Sequence, residues 1–314
     1  MSTTSLTARL APLLVLGGLA GAAVGQDGVP EGFPDPMAPP ARVALPEDGV
    51  TLPLLPGMEL PTVEVMVGEH GPYRFIVEWA GNVLAVSERV QREAGLETAA
   101  LMEDDLAVVR VPRMTAGAAE MEGAAAIVMP FFTHTDHDGA LGLNVFAEIV
   151  GTLDFAGQTL HLSAEALPDP AEDPTVVRYS PGPGGSPRVP VALGEARFEA
   201  VLDTAADSAL IVDDRLLDQL ELGEALRAGP VVMTPVQGRL ETQVARLAGD
   251  LVVGSLRVPQ PEAMFHRMQE PEVLLGGGVL RGHVLSLDQA NRRLRLARAG
   301  DAQAGDARAE ASER

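Results

Sequence analysis

Apolar and polar residues alternate along the chain in short runs that glycine and proline interrupt. The runs "VEVMVG" at 63–68 and "VPVALG" at 189–194 place valine or leucine at every second position, which is the period of a half-buried β-strand. A Gly-Glu pair marks a turn at 68–69 and at 194–195, and a second apolar strand returns from each turn. The pattern predicts one β-hairpin in each half of the chain.

The two returning strands end in the same way. Each runs into an acidic residue, Glu78 in the first half and Asp203 in the second, and a stretch of small residues follows. A short helix is predicted to start near Ser87 and near Asp213, because serine and aspartate side chains suit the N-cap position. The two acids therefore occupy equivalent places in two similar segments.

Later landmarks recur in the same order. A strand, a glycine turn and another strand are found around Gly117 and around Gly254, and an apolar-Leu-Gly step is found at 141–142 and at 275–276. Such internal repetition predicts two similar lobes related by a pseudo-twofold axis, with a cleft between them where matching residues face each other. The expected fold class is all-β, mainly strands with short helices, in two β-barrel lobes.

The N-terminal residues have the composition of a secretory signal peptide. Arg9 precedes an apolar stretch at 10–22, and the small residues at 23–25 offer a cleavage site. We therefore expect residues 1–25 to be removed and the rest of the chain to be periplasmic or secreted. The apolar stretch is too short to span a bilayer comfortably, so no stable membrane insertion is expected after processing.

Composition also divides the remainder of the chain. Proline, glycine and acidic residues are concentrated in two segments, and the patterned segments lie between and after them. The expected division is a signal peptide at 1–25, a Pro-rich lead-in at 26–45, lobe one at 46–163, a linker at 164–174, lobe two at 175–298 and a disordered tail at 299–314.

The chain is acidic, with a formal net charge of −21 at pH 7. Nucleic acids and anionic membrane surfaces bind basic faces of proteins, so neither is an expected partner. The chain contains no cysteine, so no disulfide stabilises the exported protein. Aromatic residues make up only 4% of the chain, and its core must therefore be built from aliphatic side chains and methionine.

The segment "VLDTAA" at 201–206, together with the two Leu-Gly steps, resembles the retropepsin-like or pepsin-like aspartic peptidases, in a bacterial exported form with two tandem units in one chain. The resemblance implies that one acid from each lobe shares a proton with the other and activates a water against a peptide bond, without a metal or another cofactor. In these terms Asp203 and Glu78 are the catalytic acids, and Thr204 ties the two acid loops together. The resemblance also implies a monomer that acts on a peptide or protein.

Five positions depart from the pattern of these peptidases. Glu78 stands in place of an aspartate, and Trp79 stands where a threonine hydroxyl is expected, so its bulk should displace groups near the site centre. Ala80 and Ala205 replace glycine, which would strain the loops if φ there is positive. Asp207 replaces a serine and adds a negative charge that should raise the pKa of a nearby carboxyl group.

The sequence leaves three functions open. The first is an active but atypical aspartic peptidase that uses Glu78 and Asp203. The second is a degenerate peptidase fold that binds extended peptides by strand addition without cleaving them. The third is a secreted structural or assembly protein without a functional cleft, since a fold alone does not fix a function.

One segment contains several residues of the types that bind metals. His134, Asp136, His137 and Asp138 lie close together in sequence, but no partner ligands occur elsewhere at metal-site spacing, so we predict a solvated loop and no metal site.

A hairpin that covers the cleft, called a flap in these peptidases, is expected in each lobe after the acid. The candidate segments are 103–115 and 231–243, where such a hairpin would exclude water and order a substrate.

Overall fold

The computed structural model describes residues 11–12, 34–102, 105–234, 238–270 and 272–298, and its regular structure is mainly β. The predicted disordered tail lies outside the described residues, as does the predicted signal peptide apart from Ala11 and Pro12. None of the helices in the described part of the chain has the length and apolar character that a membrane span requires.

The first half of the chain contains twelve described strands and one short α-helix, α1, at Glu88–Glu93. The strands are β1 (Ala11–Pro12), β2 (Arg42–Ala44), β3 (Val50–Pro53), β4 (Thr62–Val67), β5 (His70–Val77), β6 (Leu84–Val86), β7 (Thr98–Leu101), β8 (Ala107–Ala116), β9 (Ala119–Val128), β10 (Gly139–Leu141), β11 (Val150–Asp154) and β12 (Thr159–Ser163). Two 3-10 helices, Pro130–His134 and Leu143–Phe146, flank β10.

The second half repeats this sequence of elements with thirteen described strands and one short α-helix, α2, at Gly277–Leu280. The strands are β13 (Val176–Arg178), β14 (Ser180–Pro181), β15 (Pro187–Leu193), β16 (Ala196–Leu202), β17 (Leu210–Asp213), β18 (Arg227–Thr234), β19 (Gly238–Arg246), β20 (Leu251–Val253), β21 (Leu256–Val258), β22 (Glu262–His266), β23 (Val273–Leu275), β24 (His283–Asp288) and β25 (Arg293–Arg298). The 3-10 helices here are Pro183–Gly185 and Asp214–Gln219.

Each half builds its own large sheet, and we call the two parts lobe one and lobe two. Lobe one is an eight-stranded sheet in the order β2-β9-β6-β10-β5-β4-β8-β7. Lobe two is an eleven-stranded sheet in the order β1-β18-β19-β22-β17-β23-β16-β15-β20-β21, with β14 paired to β15. The first hairpin of each lobe turns at a glycine in the left-handed region, Gly68 (φ 59°) and Gly194 (φ 62°), where a side chain would be strained.

The centre of each lobe has the same strand pairing. In lobe one, β10 lies parallel to β5 and antiparallel to β6. In lobe two, β23 lies parallel to β16 and antiparallel to β17. The strand that ends in the acid therefore has the Leu-Gly strand as its parallel neighbour in both lobes, as the repeat in the sequence predicts.

The predicted helix starts are confirmed. Ser87 caps α1, because its hydroxyl accepts a hydrogen bond from the Val90 N–H at 3.2 Å. At the equivalent point of lobe two, the Asp213 carboxylate accepts from the Arg215 N–H at 2.8 Å, and the helix that follows is of the 3-10 type. Both caps satisfy a backbone donor that the helix itself leaves unpaired.

A six-stranded sheet joins the two halves, in the order β13-β25-β24-β11-β12-β3. Its central pairing is antiparallel between β11 of the first half and β24 of the second. The Thr152 and Ser286 hydroxyls meet across that pairing at 2.9 Å. The two lobes are thus connected by a continuous hydrogen-bonded layer, and the observed all-β architecture of two similar lobes confirms the expected fold class.

Beside the main core, two small apolar clusters lie at the acid loops and mix residues from both lobes. The lobe-one cluster receives Ala205 from lobe two, and the lobe-two cluster receives Ala80 from lobe one. The lobe-one cluster consists of Leu60, Ile76, Val83, Ala85, Ile127, Met129, Phe132, Ala140 and Ala205. The lobe-two cluster consists of Ala80, Val201, Ala206, Ile211, Val232, Val244, Met264, Met268 and Leu274.

Candidate active site

Glu78 directly follows strand β5 and is fully buried. Its N–H donates to the Leu141 carbonyl at 3.0 Å, which holds the end of β5 beside β10. Its carboxylate atom Oε1 accepts hydrogen bonds from the Ala80 N–H at 2.7 Å and from the Gly81 N–H at 3.2 Å. The backbone two and three residues after the acid therefore curls around the carboxylate.

Asp203 has the matching arrangement at the end of β16, and it is also fully buried. Its N–H donates to the Leu275 carbonyl at 2.9 Å. Its carboxylate atom Oδ1 accepts from the Ala205 N–H at 3.0 Å, and a further bond from the Ala206 N–H lowers its pKa. Both carboxylates are thus held by the N–H groups two and three residues further along the chain.

The Leu-Gly steps have a steric reason that is the same in both lobes. A Cβ atom on Gly142 would lie 2.2 Å from the Val83 carbonyl oxygen, and one on Gly276 would lie 2.1 Å from the Ser208 carbonyl oxygen. Val83 and Ser208 each stand five residues after the acid of their lobe. Only glycine lets the acid loop pass this closely over the neighbouring strand.

The Thr204 hydroxyl connects the two acid loops. Its Oγ1 donates to the Val77 carbonyl at 2.7 Å and accepts from the Trp79 N–H at 3.0 Å. Val77 and Trp79 are the residues on either side of Glu78, and Thr204 is the residue after Asp203. One buried side chain therefore brings the two acids from distant parts of the sequence next to each other.

Burial and proximity change the acidity of both carboxyl groups. Burial raises the pKa of Asp203 to about 7. The pKa of Glu78 is raised well above its ordinary value, first by burial and then by the negative charge of Asp203. The second oxygens, Glu78 Oε2 and Asp203 Oδ2, are buried and have no hydrogen-bond partner among the described residues. Two such carboxyl groups can share one proton.

The Trp79 ring packs into lobe one. It makes an edge-to-face contact with Phe146, with ring centroids 5.8 Å apart and planes at 81°. A Cβ on Gly151 of β11 would lie 2.9 Å from its Cζ2 atom, so the glycine leaves room for the ring. The expectation that the ring displaces groups at the site centre is therefore wrong, although Trp79 supplies no hydroxyl to the opposite loop.

Ala80 and Ala205 are unstrained. Neither is among the described non-glycine residues with a positive φ, so the expected backbone strain at these positions is not found. Each alanine instead belongs to the small apolar cluster of the opposite lobe. The alanines thus add apolar contact between the lobes where glycine would add none.

Asp207 does not act on the acid pair as expected. Its carboxylate forms an ion pair with the Arg281 guanidinium, and its side chain is partly exposed. The raised pKa of Asp203 has burial as its cause, and the raised pKa of Glu78 has burial and Asp203. Asp207 and Arg281 therefore compensate each other beside the site.

Two hairpins cover the acid loops. Met102 and Leu106, at the turn between β7 and β8, pack against the lobe-one cluster. Val232 and Leu240, on the β18–β19 hairpin, belong to or pack against the lobe-two cluster. These hairpins correspond to the predicted flap segments, although residues 103–104 and 235–237 at their turns lie outside the described residues. The observed conformation shields both acids from solvent.

The acidic and histidine-rich segment before β10 is more buried than predicted. His137 and Asp138 are both buried rather than solvated, and burial lowers the pKa of His137 to about 4. The Asp138 carboxylate accepts from the Arg74 N–H at 2.9 Å and pairs with Arg89 at 3.3 Å. Within the described ranges, no three side chains of the metal-binding types come together.

One residue at the site has no signal in the sequence. Ser186 lies in the glycine-rich turn before β15, and its hydroxyl donates to the Ala80 carbonyl at 2.6 Å. The two residues are 106 positions apart, and a serine beside glycine and proline is typical of an ordinary turn. The contact is visible only once the lobes are assembled.

Comparison with known proteins points to one family. The sequence model of a family described as aspartyl protease matches residues 189–279. No curated protein matches the sequence of the chain. Among solved structures, the basic 7S globulin from soybean is similar to this chain, at 12% sequence identity and a TM-score of 0.47. The alignment covers 80% of this chain and 95% of the globulin chain. The second half of this chain is therefore similar to aspartyl proteases over the segment that contains Asp203.

Proposed function

We propose that the protein is an atypical aspartic-type endopeptidase whose acid pair is Glu78 and Asp203. The observation that carries this proposal is the matched setting of the two buried carboxylates. Each follows the central strand of its lobe, and each is held by the N–H groups two and three residues later. Each also keeps one oxygen without a protein partner among the described residues, which leaves two oxygens to bind a water.

We infer a role for each acid from their mutual charge. The negative charge of Asp203 raises the pKa of Glu78, so in this proposal the shared proton rests on Glu78 and Asp203 is the ionised partner. Asp203 removes a proton from the water as the water oxygen attacks the peptide carbonyl carbon, and Glu78 donates its proton to the carbonyl oxygen. When the tetrahedral intermediate collapses, the C–N bond breaks, the proton held by Asp203 passes to the leaving amine, and a hydroxyl of the intermediate returns a proton to Glu78, so both acids regain their starting states.

The surroundings favour an extended polypeptide as the substrate. Apolar clusters flank the acids on both sides, and the β7–β8 and β18–β19 hairpins cover them. Because both acids are fully buried, we infer that a hairpin moves to admit a polypeptide and that this opening is a step of the reaction. Each chain supplies both acids, and we propose that it acts as a monomer after export to the periplasm or the medium.

A second candidate function is binding without cleavage. The observation that favours it is Trp79, which replaces a hydroxyl-bearing residue next to one of the two acids. An error of about 1 Å in the position of a catalytic group can cost about 100-fold in rate. In this case the protein would hold an extended peptide between the hairpins and release it unchanged.

Cleavage of a denatured protein mixture separates the two functions. We expect peptide release by the full-length protein to rise as the pH approaches about 7, where Asp203 ionises while Glu78 holds the shared proton, and we expect the variant Asp203→Asn to release at most about a thousandth as much, because general acid–base catalysis is lost. The control Asp218→Asn changes an exposed aspartate of the 3-10 helix after β17 and should keep the wild-type rate. Equal release by the wild type and Asp203→Asn would reject hydrolysis by this pair. Retention of a fluorescent peptide without any release would support the binding function.

A further inference from the structure

The Ser186 hydroxyl contacts the loop of the opposite acid. Ser186 is 4% exposed, and its Oγ donates to the carbonyl of Ala80 at 2.6 Å. That carbonyl and the N–H of Gly81 belong to the same planar peptide group, and the Gly81 N–H donates to Glu78 Oε1 at 3.2 Å. One peptide group is therefore bonded at its oxygen by Ser186 and at its N–H by the Glu78 carboxylate.

The turn before β15 holds Ser186 in this place. The Gly182 N–H donates to the Ser186 carbonyl at 2.8 Å, and the Gly185 N–H donates to the Gly182 carbonyl at 3.0 Å. Gly184 and Gly185 both have positive φ, at 66° and 87°, so the tight path of the turn depends on glycine. A Cβ on Gly185 would come within 3.8 Å of the Asn82 side chain, so the turn runs directly along the Glu78 loop.

The Glu78 loop needs such a support more than the Asp203 loop does. Thr204 holds the backbone at Val77 and Trp79, on either side of Glu78, and Ser186 adds a bond one residue further on, at Ala80. A glutamate side chain also has one more rotatable bond than an aspartate, so its carboxylate depends more strongly on the donors that bind it. Hydrogen bonds at both ends of one peptide group reinforce each other and fix its plane.

Lobe two has no equivalent support. Ile76 and Val201 each stand two positions before the acid of their lobe. In the first hairpin of each lobe, Thr62 is paired with Ile76 and Arg188 is paired with Val201. By this register Leu60 is the counterpart of Ser186. The Leu60 side chain is apolar and packs in the lobe-one cluster with Ala205, so among the described residues this counterpart position supplies no hydroxyl to the Asp203 loop.

We propose that Ser186 is a positioning residue for the reaction, because it orients the Ala80–Gly81 peptide group whose N–H binds the Glu78 carboxylate. Its hydroxyl, in the turn before β15, adds an interlobe hydrogen bond to those that Thr204 makes with the Glu78 loop. The role rests on the proposed peptidase function, and Ser186 itself contacts neither substrate nor water in the reaction. It acts through the backbone of the Glu78 loop.

The test compares Ser186→Ala with Ser186→Thr and with Ser180→Ala. Ser180 lies in β14, six residues before Ser186, but its hydroxyl binds the Glu199 carboxylate at 3.2 Å on the exposed surface, so it is a matched control. We expect Ser186→Ala to lower kcat about tenfold with KM nearly unchanged, Ser186→Thr to restore most of that loss, and Ser180→Ala to behave as wild type. The pH profile of Ser186→Ala should also move upwards, because the Gly81 N–H that lowers the pKa of Glu78 is held less firmly.

A second readout separates this role from the proposed function. If the wild-type protein cleaves nothing, the peptidase function fails, and the role of Ser186 is then measured by carboxyl ¹³C NMR of Glu78 during a pH titration. Ser186→Ala should still raise the titration midpoint of Glu78, while Ser180→Ala should leave it unchanged. The positioning role would be overturned if Ser186→Ala unfolds more easily but keeps the wild-type titration midpoint of Glu78. Where activity is measurable, its kcat and pH profile would then also equal those of the wild type.

Discussion

The two acid loops have the same backbone arrangement but different side chains. In both, an acid follows the central strand and accepts hydrogen bonds from the backbone two and three residues later. After Asp203 comes Thr204, whose hydroxyl crosses to the other loop. After Glu78 comes Trp79, whose ring turns into lobe one and packs on Phe146.

This difference shows that the interlobe hydroxyl contacts at the site come from one side. Two hydroxyls described above hold the Glu78 loop, those of Thr204 and Ser186. Both residues belong to lobe two. The Asp203 loop receives apolar contacts in return, through Leu60 and Ile76 around Ala205. A symmetric backbone therefore carries an asymmetric set of supports, and the predictions below test whether the two acids still act together.

The largest expected effect is on activity when the acid of either loop is neutralised. Glu78→Gln should reduce peptide release by the same factor as Asp203→Asn, at least about 1,000-fold, because a shared proton needs both carboxyl groups. The rate of release from a denatured protein substrate measures both variants. If Glu78→Gln keeps more than a tenth of the wild-type rate, lobe one contributes no acid and the comparison of the two loops loses its functional meaning.

The next largest effect concerns the Trp79 ring. Trp79→Thr places after Glu78 the same residue type that follows Asp203. It should lower the free energy of unfolding by about 3–5 kcal/mol, because a cavity forms beside Phe146. Urea denaturation measures this loss. The matched probe is Gly151→Ala, which should cost about 1–3 kcal/mol in the wild type, where its Cβ would lie 2.9 Å from the ring. The cost of Gly151→Ala should be smaller in the Trp79→Thr background, where the close contacts of the added Cβ with the Phe146 ring at 3.1 and 3.3 Å remain, and an equal cost in both backgrounds would place the Trp79 ring elsewhere.

A smaller loss is expected when the Thr204 hydroxyl is removed. Thr204→Val keeps the shape of the side chain but leaves the Val77 carbonyl and the Trp79 N–H without their partner, which should lower the free energy of unfolding by about 2–3 kcal/mol. Thr204→Ser retains the hydroxyl and should cost less than about 1 kcal/mol. Urea denaturation of both variants distinguishes the lost hydrogen bonds from lost packing, and similar losses for Val and Ser would argue against the bonds.

The smallest expected effect, for a change of one pH unit, is that of the ionisation of the acid pair on the free energy of unfolding. Both acids have a raised pKa in the folded protein, so the unfolded chain ionises first as the pH rises. The stabilising contribution of the neutral carboxyl groups is therefore complete below about pH 4 and is lost towards pH 7, with a slope on the order of 1 kcal/mol per pH unit. Unfolding measured across this range should show the slope in the wild type and a weaker slope in Asp203→Asn. A slope that is unchanged in Asp203→Asn would assign the pH dependence to other groups.

Much of the fold follows from patterns that the sequence displays directly. The alternation at 63–68 and 189–194 predicts the first hairpin of each lobe, and a glycine must follow each Leu141 and Leu275 because the acid loop passes within contact of the next strand. These features are local or repeated, so the chain reveals them twice. The positions of Glu78 and Asp203 at equivalent strand ends follow from the same repetition.

The features that the sequence does not predict depend on where a side chain points after the lobes meet. The sequence shows the size of Trp79 but not that Gly151, 72 residues later, opens a space for its ring. It shows a threonine after Asp203 but not a serine at 186 that bonds to the opposite loop. The burial of His137 likewise depends on packing around β10 rather than on its polar neighbours in sequence.

The titration of Glu78 tests most directly that two acids from separate lobes form one proton-sharing pair. Carboxyl ¹³C NMR of protein labelled at glutamate, with the Glu78 signal assigned by Glu78→Gln, gives its pKa in the wild type and in Asp203→Asn. We expect the pKa of Glu78 to fall when Asp203 is replaced, because the neighbouring negative charge that raises it is removed, and to stay unchanged in the control Asp218→Asn. A Glu78 pKa that is the same in the wild type and in Asp203→Asn would contradict the pairing.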